Sequence, residues 1–172
     1  VAPDLVQQLR SRTLDFFVAE TSLLTREPDL EVVAMPLQHP IYFFARAGHP
    51  LARSNEPVRA ADVLAWAFAS PSRIPPRLLE PLLAAHREGS SRTSTTRPFP
   101  AIECNGLATV KRIVASSDAV SASILLCIAE DLDSGRLVLL ATTPWMILDY
   151  GVVSLRDRPW TQTAETLRGF VL

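Results

Sequence analysis

The chain has 172 residues, 48% of them hydrophobic and 20% charged, which suits one ordinary domain or two small lobes and not a disordered tail. A formal net charge of −1 excludes the basic excess that a free-standing DNA-binding module carries. No apolar run reaches the ~18 residues of a membrane span, and VAPDLVQQLRSR lacks the apolar centre of a signal peptide, so the chain is expected in the cytoplasm with no membrane partner.

Along the chain, Pro3 to Arg10 reads as a helix with Leu5, Val6 and Leu9 on one side. Leu14 to Glu20 reads as a buried strand, and Leu30 to Arg46 as two more, broken at His39-Pro40 and ending in an exposed turn, Ala47-Gly48-His49-Pro50. Arg59 to Trp66 is a short helix leading into a strand at Ala67 to Ser70. Ser72 is placed to cap the next helix, Pro75 and Pro76 fall in its first turn, Pro81 bends or splits it, and Gly89 ends it. Ser90 to Pro98 reads as a surface loop and Phe99 to Cys104 as a strand. Asn105 then caps a helix carrying Leu107, Val110, Ile113 and Val114 at helical spacing. A strand at Ala119 to Ala122, a helix at Ile124 to Leu132 and strands at Leu137 to Ala141 and Tyr150 to Arg156 follow. Thr161 opens a closing helix with Ala164, Leu167, Phe170 and Val171 expected inward. This alternation predicts a mostly parallel α/β sheet.

Residues that could carry catalysis are scarce. His39, His49 and His86 share no metal-ligand spacing, and no G-x-S-x-G elbow, P-loop or G-x-G-x-x-G occurs, so no metal, cofactor or catalytic residue is expected. Cys104 and Cys127 read as two buried free thiols, and Asp131 and Asp133 as solvated charges at a helix end.

The run PLQHPIYFFARAGHPLA (Pro36 to Ala52) resembles a signature of LysR-type transcriptional regulators, in the domain that binds their small-molecule effector. LATVKRIVASSDAVSASILLCIAEDLDSGRLVLL is similar to that family's second-lobe pattern, YGVVSLRDRPWTQTAETLRGFV to its closing strand and helix, and LDFFVAE to a first-lobe strand. The resemblance covers nearly the whole chain. It implies a type 2 periplasmic-binding-protein-like α/β fold, in which two lobes are joined by two crossover strands. Residues 1–69 with 142–172 would form a partial first lobe and residues 70–141 the second. Crossings are expected near Trp66 to Ser70 and Thr142 to Tyr150. The family's helix-turn-helix DNA-binding domain has no counterpart in these residues, and a start at Val1 beside a buried-looking helix suggests an N-terminally truncated fragment.

The resemblance further implies a small metabolite, such as an organic acid or a sugar derivative, held in the inter-lobe cleft. Second-lobe contacts are expected at two helix starts, one with Ser70, Ser72 and Arg73 and the other with Asn105 and Gly106, with Ser121 at a strand end. Ser72 and Asn105 also read as plain helix caps. Arg46 matches a family position near a secondary pocket, although an exposed turn arginine accounts for it as well. The full-length protein would be a homodimer or tetramer that reaches DNA through its missing N-terminal domain. A stand-alone solute-binding protein and an enzyme on the same fold are the alternatives.

Overall fold

The structure is a computed structural model that describes residues 2–21, 24, 27–54, 56–71, 74–93, 97–141 and 143–171. Contacts divide the chain into two compact units, Val1–His39 with Leu148–Leu172, and Pro40–Ile147. Residues 40–69 therefore group with residues 70–141, whereas the sequence reading put them with the first lobe.

In the first unit, α1 (Ala2–Arg10) packs Val6 and Leu9 onto Phe17, Leu24, Leu30 and Val153. Strand β1 (Phe16–Glu20) lies at the end of the sheet and pairs antiparallel with β7 (Ile147–Leu155), which neighbours β2 (Leu30–Arg46). Gly151 of β7 has no room for a side chain, because a Cβ there would sit 2.9 Å from the Val33 carbonyl. Arg10 ties α1 to the turn before β2 through Asp29 and Glu27. Its hydrogen bonds hold the Asp29 carboxyl below the ordinary carboxylate range. The last helix, α6 (Gln162–Val171), buries Ala164, but Leu167 and Phe170, expected inward, are exposed, Phe170 by 84%. Only the first turn of α6 is anchored, by Thr161, whose hydroxyl bonds Asp15 and the Ala164 amide.

The expected break at His39-Pro40 is not a break in the strand. β2 runs through 17 residues, and the boundary between units falls inside it, at His39-Pro40. An extended backbone suits proline's φ, and an X-Pro step favours β conformation in the residue before it. Its second half pairs antiparallel with β5 (Ser121–Ile124) and with β6 (Leu137–Ala141). The expected mostly parallel sheet is thus corrected: parallel pairing is confined to β3 (Ala69–Ser70) with β4 (Ile102–Glu103), and to the bridge between Phe68 and Val120.

The core of the second unit gathers Phe44, Ala69, Val110, Val114, Ile128 and Leu137 from strands and from α4 (Leu107–Ser116) and α5 (Leu125–Asp133). Helix α3 (Pro76–Thr93) packs on α2 (Ala60–Leu64) and continues through Gly89, which was expected to end it. The glycine serves close approach instead: a Cβ there would lie 2.1 Å from the Ala61 carbonyl oxygen. The segment expected as a loop from Ser90 is accordingly helical to Thr93. Pro81 stays within α3 without ending it.

Candidate functional site

Strands β3 and β4 run side by side in the same direction, so both deliver their chain ends to one edge of the Pro40–Ile147 unit. The two exits are laced together by backbone bonds. The Cys104 amide donates to the Ser70 carbonyl at 3.2 Å, and the Gly106 amide to the Pro71 carbonyl at 3.3 Å. Ser70 is buried, whereas Asn105 and Gly106 are exposed.

Helix α4 begins immediately after this lacing. Its N-cap is Gly106, not Asn105 as expected, and no side chain caps it. Gly106 takes φ +99°, a left-handed value that glycine alone adopts cheaply, with open space around it. The chain must turn there sharply enough to bond Pro71 and then enter a helix, which removes Asn105 from the capping position. The first amides of α4 therefore have no side-chain acceptor, and with the helix dipole they favour an anion.

Of the predicted residues, Ser70, Asn105 and Gly106 thus share one edge. Ser121 lies beside them in the sheet, at the start of β5. It is fully buried and its hydroxyl donates to the Ala69 carbonyl at 2.7 Å, clamping β5 to β3. Ser72 and Arg73 lie outside the described residues, and with them the expected cap by Ser72. Among the described residues no cluster of His, Cys, Asp or Glu could hold a metal.

A second polar cluster of this unit is built on the signature turn. His49, expected exposed, is fully buried. Its Nδ1 accepts the Leu51 amide at 3.1 Å, capping the short 3₁₀ helix Pro50–Arg53, and Nε2 faces the Asp118 carbonyl at 3.3 Å. Trp66 meets the ring edge-on at 4.5 Å between centroids. One nitrogen accepts and the other donates, so the ring is neutral, and burial holds its pKa below the ordinary histidine value. Arg46 closes the cluster by bonding the Asp118 carboxylate through Nε at 3.0 Å and Nη2 at 2.7 Å. It is a paired residue, not a free turn arginine. The pairing across 72 residues of sequence was invisible in the local motif.

Two further expectations are corrected. Asp131 is buried rather than solvated, held by Lys111 at 2.6 Å and Arg136 at 2.9 Å, because the end of α5 folds under α4 and the turn into β6. Cys127 is exposed and Cys104 half-buried, since helical spacing turns Ile128 inward and leaves Cys127 outside.

The comparisons with known proteins agree on the family. The model of the LysR substrate binding domain matches residues 1–172. The chain belongs to the LysR substrate-binding-domain family. Its similarity to the SDS degradation transcriptional activation protein of a Pseudomonas species is 34% identity over 173 residues, covering 98% of the chain and 53% of that protein. The chain therefore spans about half the length of this LysR-type relative.

Similar solved structures include the CcmR regulatory domain of Synechocystis PCC6803 (TM-score 0.68, 17% identity, 98% of this chain and 76% of that one). The effector-binding domain of QuiR, solved with shikimate, is alike to the same degree (TM-score 0.69, 15% identity, 98% and 75%). So is a reduced form of OxyR from N. meningitidis (TM-score 0.68, 13% identity, 96% and 74%). At these identities the likeness is one of fold, and the fold is the periplasmic-binding-protein-like α/β architecture of LysR regulatory domains. No helix among the described residues is long and apolar enough to cross a membrane.

Proposed function

We propose that this chain is the effector-sensing part of a LysR-type transcriptional regulator, working in the cytoplasm without catalysis. A small metabolite would bind at the strand ends of β3 and β4. The carrying observation is the family match over the whole chain, joined to an edge where a helix start free of any side-chain cap meets exposed Asn105 and Gly106. Amide donors at a helix start recognise carboxylates and phosphates, so the effector class is a small organic anion carrying hydroxyl groups. The shikimate and 2-PG bound by the QuiR and CcmR domains are precedents within the same fold. Binding would favour one conformation of the regulator over another and so bias DNA binding by a helix-turn-helix domain elsewhere in a full-length homodimer or tetramer.

The test is calorimetric titration of the chain with a panel of small hydroxy acids and phosphorylated acids. A stoichiometric, saturable heat with an unchanged ligand supports sensing; turnover of the ligand would indicate an enzyme. Asn105→Ala is expected to weaken the best binder about tenfold, the worth of one hydrogen bond to a charged group, while leaving the melting temperature nearly unchanged. Ser72→Ala should act in the same direction. Equal affinity in both variants removes the site from this edge.

A further inference from the structure

His86 and His49, both in the Pro40–Ile147 unit, are held in opposite ways. His49 accepts at one nitrogen and donates at the other. His86, buried on α3, has a carbonyl oxygen at each: Nδ1 lies 2.9 Å from the Leu64 oxygen, at the end of α2, and Nε2 lies 3.0 Å from the Arg97 oxygen. A carbonyl oxygen only accepts. A neutral imidazole offers one N–H and one lone pair, so it can satisfy one of these carbonyls and must turn a lone pair on the other; the imidazolium donates to both.

We propose that His86 is a buried proton site. The imidazolium clasps the end of α2 to the segment ahead of β4, and loss of its proton releases one of the two carbonyls. The charged groups on the surrounding elements leave the ring without a carboxylate partner among the described residues. On α3 these are Arg87 and Glu88. On and beside α2 they are Asp62 and Arg59, which pair with each other, and Arg59 also pairs with Glu88. On the segment ahead of β4 it is Arg97, whose guanidinium donates to the Ala65 carbonyl at 3.2 Å. The positive ring is thus held by carbonyl dipoles, those of the last residues of a helix being the favourable end for a cation. Phe99 lies against the ring at 5.2 Å between centroids.

This clasp sits on the approach to the candidate edge. Phe99 stacks on Phe68 at 5.2 Å, and the Ala101 and Ile102 amides both donate to the Phe68 carbonyl. The segment then becomes β4 and leads to Asn105 and Gly106. Protonation of His86 and the placement of that edge are therefore linked through one short run of backbone. The inference rests on the His86 geometry alone and stands whether or not an effector binds there.

The first test is ring-nitrogen NMR of the chain across roughly pH 5 to pH 8, where an imidazole changes charge. His86 is expected to carry protons on both nitrogens at a pH where His49 is already a single neutral tautomer. If His86 loses its proton together with His49, or before it, the proposal is overturned. The second compares melting temperatures of the chain and of His86→Gln over the same range. Both bonds are complete only in the protonated ring, so the advantage of the parent chain should be greatest at the acid end and fall by about half or more toward pH 8. A difference that does not change with pH overturns the clasp. Should the variant not fold, the NMR comparison on the unsubstituted chain decides alone.

Discussion

The signature turn and the β3–β4 edge belong to the same unit, yet they treat their polar groups in contrary ways. At the turn, Arg46, His49 and the Leu51 amide all bond within the protein, across to Asp118. At the edge, the backbone is laced but Asn105 and Gly106 face solvent and the start of α4 has no side-chain cap. The residues that made the family recognisable are therefore scaffold. Those best placed to meet a ligand carry little signature, because a binding edge needs open donors and is free to vary with the ligand.

That contrast can be broken by substitution, and scaffold changes should cost the most. Gly89→Ala drives a methyl into the Ala61 carbonyl and should destabilise the chain by about 3 kcal/mol, read by urea unfolding. His49→Ala strands the Leu51 amide and the Asp118 carbonyl and empties the contact with Trp66, for about 2 kcal/mol by the same measurement. At the edge, Gly106→Ala forces a side chain into left-handed backbone and should cost only about 1 kcal/mol, while weakening ligand binding by moving the helix start. Smallest of all, Asp118→Ala removes a half-exposed ion pair worth about 0.5 kcal/mol, and the loss should shrink further in high salt. A Gly106 variant that proved costlier than the His49 variant would invert the comparison.

Acid sharpens it. The folded-state pKa of His49 lies below its unfolded value, so the unfolded chain takes up a proton first. Stability contributed by the neutral ring is complete above the ordinary histidine range and is lost as pH falls through it. His49→Gln should flatten that acid loss in melts recorded across the range, leaving whatever His86 contributes with the opposite sign.

Much of the fold was legible because local pattern and tertiary role coincided. Val110 and Val114 recur at helical spacing and both enter the core, and Leu137 to Ala141 reads as a strand and is one. The misreadings share a cause: the deciding partner lay far away in sequence. Gly89 looks like a helix end until Ala61 is known to press against it. His39-Pro40 looks like a break until neighbouring strands hold the backbone extended. Asp131 looks solvated until Lys111 reaches it from α4. Of the candidate site, Asn105 and Gly106 were legible as a helix start, but the lacing to Ser70 and Pro71 depends on β3 and β4 meeting, which no local motif encodes.

The long strand β2 has a consequence for assembly of the chain. Side chains alternate faces with a period of two, so a one-residue slip anywhere in a strand turns over everything beyond it. Leu30 belongs to the core of one unit and Phe44 to the core of the other, on the same uninterrupted strand. An insertion between them would leave at least one core facing the wrong way. The strand thus works as a common ruler, so that the spacing between the two cores is proofread each time the protein folds.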